Sequence, residues 1–548
     1  MPIHPSAITA IRLGALCAAA SITGCAGHPK AESLKTATPI KHLVIIFSEN
    51  ISFDHYFATY PVAQNPPGEP AFTAEPGTPA VNGLSGDLLT RNGNFTNTIN
   101  GKVASNPFRI DRSQAATSDQ SHYYTAEQLA FDGGAADRFP SFTGQGMPGG
   151  TGAFSTPAVV MGYYDGNTVT ALWNYAQHFA MSDNAYSDVY GPSTPGAINL
   201  ISGQTNGMVI TTSRDSTYYV HDGQGGLTMI GDAQPAGDSC SFPFDLVTFS
   251  GKNIGNLLNE AAVSWGWFEG GFDLTRTNAN GTTGCLRSTH SDNVLLAPTD
   301  YLPHHEPFQY YPGTANPKHL RPASTAAVGH SGDAANHQYD LRDFFAAVSA
   351  GNFPAVSFLK ASAFQDGHAG YSDPLDEQTF MVQTVNFLEQ RPEWASTAII
   401  ILYDDSDGWY DHQMAPVTNA SFSKADRLNG PAACGIKGKG ATPELPGVAG
   451  IGPVEGRCGP GMRQPLLIIS PWARANFVDH TVTTQSSVLR FIEDNWLGGK
   501  RIGGGSFDAT AGTFNAMFDF TGAGTTPVLF LDDTLGTPVT KPSGRTPQ

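Results

Sequence analysis

Four short apolar runs constrain this chain most: Leu43 to Phe47 (LVIIF), Ala355 to Leu359 (AVSFL), Ala398 to Leu402 (AIIIL) and Leu466 to Ile469 (LLII). Each has the length of a strand and lacks the alternation that would mark one wet face, so each suits a strand covered on both sides. Amphipathic segments lie between them. Phe380, Thr384, Phe387 and Leu388 recur at helical spacing, as do Val488, Phe491 and Ile492 after Thr484. Strands alternating with helices predict an α/β fold, with a central, mostly parallel sheet and helices on both faces. The Gly/Pro/Asn/Thr-rich tracts Pro66 to Asn100 and Thr275 to Thr299 read as long surface insertions, and no internal repeat is visible. Although the chain holds 61 Gly and 39 Pro, its 40% hydrophobic residues suffice for a large core.

In open α/β sheets the ligand crevice lies outside the carboxyl ends of the strands. Two strand ends here carry polar clusters: Ser48-Glu49-Asn50 after LVIIF, and Asp404-Asp405 after AIIILY. Their oxygen donors suit a hard divalent cation, whereas helix capping is the plainer reading of either cluster alone. Gly191-Pro192-Ser193-Thr194-Pro195-Gly196 opens an apolar segment containing Ile198, Leu200 and Ile201. Pro195 fits a first helical position and Thr194 its cap, which would set Ser193 beside free N–H groups where phosphoryl oxygens are stabilised. An ordinary helix cap is the alternative. His122, the pair His304-His305, and His368 in DGHAGYS are candidates to bind phosphate or protonate a leaving oxygen. Trp265, Trp267 and Phe268 suit either an aromatic cage for a quaternary ammonium or, as expected here, alternating positions on a buried strand.

With 30 Lys plus Arg against 48 Asp plus Glu, the net charge of −18 offers no footprint for nucleic acid or an anionic bilayer. The N-terminus has Arg12, the small-apolar run Leu13 to Ala20, then Ser21-Ile22-Thr23-Gly24-Cys25, which reads as an export signal. Ile-Thr-Gly before Cys25 resembles the bacterial lipoprotein box, implying acylation of Cys25. The organisation expected is a signal over 1–24, a tether over 25–38, a catalytic domain over 39–500 and a C-terminal extension over 501–548. The protein is expected to be exported and lipid-anchored in the bacterial cell envelope, touching the membrane through that anchor alone, because no apolar run reaches the ~20 residues of a span. Cys240, Cys285, Cys434 and Cys458 then favour disulfides; of three pairings, the sequence-near one (Cys240 with Cys285, Cys434 with Cys458) is expected.

HLVIIFSENISFDHYF resembles the opening signature of the bacterial phosphoesterase family that includes phospholipases C and an acid phosphatase. HYYTAEQLAFDGG, NAYSDVYGPSTPG, GKNIGNLLNEAAVSWGWFEGGF, LPHHEPFQYY, VSFLK with GHAGYSDP, YDDSDGWYDH and VDHTVTTQSSVLRFIEDNW are similar to later segments of that family, in its usual order. The resemblance covers roughly Lys41 to Trp496. It implies an alkaline-phosphatase-like fold and one divalent metal ion held by Glu49, Asn50, Asp404, Asp405 and Ser193. It also implies that Ser193 is the nucleophile, where phospholipase relatives carry Thr, and that His122, His304, His305 and His368 line the phosphate pocket. Ile51 stands where relatives often have Arg, and the adjacent Thr194 leaves a one-residue shift of the nucleophile open. The mechanism implied is attack by the Ser193 oxygen on phosphorus, departure of the alcohol with a histidine proton, and hydrolysis of the phosphoserine. His305 and His368 are the leading candidates for that acid.

The substrate is then a phosphorylated small molecule or a phospholipid. An acid phosphatase acting on monoesters is the expectation, for two reasons: the chain ends about fifty residues after Trp496, where larger phospholipase relatives carry further β domains, and the nucleophile position is Ser. A histidine cluster favours operation on the acid side of neutrality. The alternatives are a phospholipase C and, outside catalysis, a lipid-anchored binding protein of the same fold.

Overall fold

In the computed structural model, which describes residues 35–214, 216–435, 454–522 and 528–547, a nine-stranded sheet runs through the middle of the protein. Its strands are β1 (His42–Ser48), β2 (Ala180–Tyr186), β3 (Trp265–Glu269), β4 (Gln338–Asp340), β5 (Val356–Lys360), β6 (Thr397–Tyr403), β7 (Arg463–Ile469), β8 (Phe477–Asp479) and β9 (Thr483–Thr484). They lie in the order β4-β3-β5-β1-β6-β7-β2-β8, with β9 also on β2. All four apolar runs are strands of this sheet, and it is mostly parallel as expected. LLII departs from that pattern: β7 runs antiparallel to both β6 and β2. An apolar run buried on both faces reads the same in either direction, so only the connection decides its sense.

Alternation along β1 shows why these runs carry no polar face. Val44 and Ile46 enter one core and Leu43, Ile45 and Phe47 the other; β6 divides Ile399, Ile401 and Tyr403 from Ala398, Ile400 and Leu402 in the same way. Four helices pack apolar residues into these cores: α1 (Ser193–Ser202), α2 (Leu341–Ser349), α3 (Pro374–Glu389) and α4 (Ser486–Trp496). The last two are the amphipathic segments read from Phe380 and Val488. The residues after Lys500 add Phe514, Met517 and Phe518 to one core and Leu531 to the other, and Thr36–Gln548 form one compact unit.

Trp265, Trp267 and Phe268 are buried within β3, with Trp265 stacked on His337 at 4.3 Å, and form no cage. Cys240 is bonded to Cys285 and Cys434 to Cys458, the sequence-near pairing. The tract Pro66 to Asn100 is not all surface, since Phe72 and Asn94 are buried. Among the described residues no helix is long and apolar enough to cross a membrane. Cys25 and the predicted signal lie outside the described residues.

Candidate active site

Register brings the two polar clusters together. Ser48 pairs with Tyr403 at the carboxyl ends of β1 and β6, so Glu49 and Asn50 leave the sheet beside Asp404 and Asp405. Asn50 takes a left-handed conformation (φ 68°), which Asn tolerates better than most residues. Its N–H donates to Asp404 Oδ1 at 2.8 Å, and the Asp405 N–H donates to the same oxygen at 2.7 Å.

The third cluster arrives on α1. Gly196 lies so close to β6 that a Cβ there would sit 2.2 Å from the Asp404 carbonyl oxygen. The helix starts at Ser193, two residues earlier than Pro195 suggests, and Thr194 is not its cap; Pro192 holds that position and offers no side-chain bond. Tertiary partners replace the local cap. Asp232 Oδ1 accepts from the Thr194 N–H at 2.9 Å, and Glu127 Oε2 accepts from the Gly191 N–H at 2.9 Å. Glu127 also accepts from Ser406 Oγ at 2.7 Å, tying the turn before Ser193 to the Asp404–Asp407 segment; burial pushes its carboxyl up to about 7.

Ser193 Oγ lies 3.0 Å from Glu49 Oε2, 3.1 Å from Asp405 Oδ2 and 3.4 Å from Asn50 Oδ1. One hydroxyl has one hydrogen and cannot satisfy three acceptors. Asp404 Oδ2, also buried, has no hydrogen-bond partner. Five oxygen-bearing side chains with surplus acceptors and buried negative charge fit a hard divalent cation. Thr194 Oγ1 turns elsewhere, 3.4 Å from the His304 carbonyl oxygen.

Behind these groups is a layer that sequence reasoning missed. Lys360, buried at the end of β5, places its ammonium on Glu49 Oε1, the oxygen turned away from Ser193. His305 Nδ1 is 3.3 Å from that same oxygen and 4.0 Å from Asp366 Oδ2, and Glu49, His305 and Asp366 form a group able to hold metal. Burial pulls the Lys360 ammonium down against the opposing pull of Asp404 and Asp366, and pushes the Asp366 carboxyl up to about 7 despite Lys360. Burial and then Asp404 raise Asp405 well above the usual carboxylate range. A signal for Lys360 existed: a charged residue closing the run VSFLK inside a sheet is costly unless it is paired.

His122, His304 and His368 line a cavity of about 500 Å³ with Asp232 and Tyr371. His122 Nδ1 donates to the Gln120 carbonyl at 2.9 Å and lies 3.0 Å from Asp407 Oδ1. Burial disfavours its charge, but Asp405 and Asp407 outweigh that and raise it well above the ordinary imidazole value. His304 Nδ1 accepts from Gln234 Nε2 at 3.3 Å, and burial lowers it. Burial lowers His368 to about 4. His305 packs edge-on against His304 at 4.3 Å and lies against Glu49, outside the lining of that cavity; burial and the neighbouring histidines hold it well below its usual value.

A hydroxyl among carboxylates at the carboxyl edge of a mostly parallel sheet, with histidines close by, can activate an oxygen nucleophile and receive an oxyanion, as a phosphoric ester hydrolase requires. The Phosphoesterase family model matches residues 40–497, and this chain belongs to that family. It is similar to Phospholipase C A of Mycobacterium tuberculosis, 24% identical over 482 residues, covering 85% of this chain and 73% of that protein. It is also similar to the non-hemolytic phospholipase C of Pseudomonas aeruginosa, 24% identical over 469 residues; the match covers 83% of this chain and 54% of the relative, about half its length. Among solved structures, a protein in the alkaline phosphatase superfamily from Vibrio parahaemolyticus aligns over 87% of this chain and 72% of that one. It has 11% identity and a TM-score of 0.28, a likeness too slight to bear on fold or function. The chain is a phosphoric ester hydrolase.

Proposed function

We propose that this protein is a metal-dependent phosphatase of small phosphate monoesters, with Ser193 as the nucleophile. The observation that carries the proposal is the convergence of Glu49, Asn50 and Asp405 oxygens on Ser193 Oγ within 3.4 Å. Glu49, Asn50, Asp404, Asp405 and Ser193 would hold one divalent cation, which when bound lowers the pKa of the hydroxyl. Ser193 Oγ attacks phosphorus, giving up its proton and forming a phosphoserine as the ester oxygen leaves. His122, His304 and His368 meet the phosphoryl oxygens at the cavity wall. The proton donated to the departing alcohol is assigned to His122, because Asp405 and Asp407 favour its charged form, whereas burial lowers His368 to about 4 and His305 lies against Glu49. Water then cleaves the phosphoserine and returns the proton to Ser193.

The cavity wall supports small polar esters: Leu302 and Ala369 are its aliphatic members, and the remainder is polar, charged, aromatic or glycine. Phospholipase C is the second reading, favoured by the names of the curated relatives. Initial rates of the purified protein on p-nitrophenyl phosphate and on dispersed phosphatidylcholine, from about pH 4 to about pH 9, separate the two. The monoester is expected to be the better substrate, on the acid side of neutrality; a diester cleaved at least about tenfold more efficiently throughout replaces this reading with the second. We further propose export and anchoring through an acylated Cys25, tested by the mass of the mature N-terminus.

A further inference from the structure

A second crevice, of about 380 Å³, opens on the same edge of the sheet as the Ser193 site. Gly271 follows β3, Asp340 closes β4, and Ser362 and Phe364 follow β5, so the crevice lies outside the carboxyl ends of three parallel strands. Its volume is that of a small-ligand pocket.

Arg276, Arg287 and Arg342 line it, together with Asp300, Asp340 and the exposed His290. Both carboxylates are committed to Arg287, which is buried: Asp300 Oδ2 is 3.2 Å from its Nε and Asp340 Oδ2 is 3.3 Å from its terminal nitrogen. Asp300 Oδ2 also accepts from Asn278 Nδ2 at 2.8 Å. Asp340 accepts the Asp273 N–H at 2.9 Å and, as the cap of α2, the Arg342 N–H. The nearby Asp273 carboxylate goes to Arg321. Among the described residues, neither the Arg276 nor the Arg342 guanidinium has an ion-pair or hydrogen-bond partner, although both side chains are half-buried. They also oppose each other: burial and then Arg276 push Arg342 down, against the opposing pull of Asp340.

Such a grouping is unfavourable in isolation. Two unpaired cations are held beside a third, in a chain that has 30 basic residues against 48 acidic ones and ample carboxylates to pair them. It is also held in place. The Cys240–Cys285 disulfide and the backbone bridges Thr277–Thr283 and Ser288–Thr299 fasten the insertion carrying Arg276 and Arg287, while Arg342 is on the first turn of α2. Guanidiniums presented this way match the planar, bidentate recognition of an oxyanion.

We propose that this crevice is a second oxyanion site, which takes a phosphate-type group between Arg276 and Arg342. The group is either a second phosphoryl group of an ester whose first is cleaved at Ser193, or free inorganic phosphate. Phosphate binding in the crevice does not depend on the chemistry assigned to Ser193; its use for a substrate's second phosphoryl group rests on that chemistry. The test is calorimetric titration of the full, disulfide-intact protein with inorganic phosphate, in a Ser193→Ala background and in that background with Arg276→Gln and Arg342→Gln added. The added pair is expected to remove one phosphate equivalent or weaken it at least about tenfold, with an unchanged melting temperature. Unchanged stoichiometry and affinity overturn the proposal. Steady-state kinetics of Arg276→Gln/Arg342→Gln in the otherwise unaltered enzyme identify the source. A KM raised at least about tenfold for a sugar bisphosphate but not for p-nitrophenyl phosphate assigns the site to the substrate's second phosphoryl group; both KM values unchanged, with phosphate binding lost, assign it to free phosphate.

Discussion

Gly196 touches the backbone of Asp404: a Cβ on the glycine would stand 2.2 Å from the aspartate carbonyl oxygen. That contact sets the first turn of α1 on the end of β6 and so fixes how far Ser193 Oγ lies from the Asp405 carboxylate, 3.1 Å. Gly196→Ala therefore pushes nucleophile and carboxylates apart. The expected cost is ~1–3 kcal/mol of stability from overpacking and a fall of about 100-fold in kcat from misplacement. Thermal melts and steady-state rates of one preparation check both, and a Gly196→Ala enzyme of wild-type kcat would show that the contact does not position Ser193.

Lys360→Met removes the ammonium that covers Glu49 Oε1 while keeping most of the side chain's volume. Breaking a buried ion pair from one side costs ~3–5 kcal/mol, because the remaining carboxylate is uncompensated. The metal-free variant should therefore melt well below the metal-free wild type. Added divalent cation should recover more stability in the variant than in the wild type, since binding to the folded state alone is stabilising. Lys360→Arg is expected to restore part of the loss. Identical melting curves for wild type and Lys360→Met, with and without cation, would leave Lys360 no part in holding Glu49.

Much of this arrangement was legible in the sequence, for a physical reason. Strands buried on both faces have no polar alternation, so LVIIF and AIIIL are conspicuous, and the polar residues that end them stand out against them. The sense of β7 was not legible, because the long connection from Asp404 to Met462 sets it. The three-residue strands β4 and β8 and the two-residue β9 are too short to show a period. The start of α1 is not legible because the acceptor of its Thr194 N–H, Asp232, is remote in sequence. Lys360 and Asp366 escaped notice since their meaning lies in a partner, Glu49 or His305, more than fifty residues away. Arg276 and Arg342 are likewise ordinary in sequence and become a pair only where β3 and β4 end side by side.

Glu389, on α3, accepts the Leu529 N–H at 2.9 Å through one oxygen, while its other oxygen is buried without a partner. Burial pushes its carboxyl up to about 8. A carboxyl raised on folding contributes stability that is fully present below its unfolded value, ~4.5, and is lost as pH climbs through about 8, by up to ~1.4 kcal/mol per pH unit in that window. Glu389→Gln keeps the acceptor for Leu529 and cannot ionise. It should melt higher than wild type near pH 8 and show no gain near pH 4; a gain of equal size at both pH values would exclude ionisation as its cause.

Attack of Ser193 on phosphorus leaves a covalent intermediate that can be trapped. The metal-replete enzyme is mixed with p-nitrophenyl phosphate, quenched in acid within a turnover and digested, and the peptide containing Ser193 and Thr194 is sequenced by mass spectrometry. A phosphoryl group is expected on Ser193, absent from metal-stripped enzyme, with the Ser193→Ala variant slower by about four to six orders of magnitude. Phosphorylation of Thr194 instead, or turnover by Ser193→Ala near the wild-type rate, would contradict attack by Ser193.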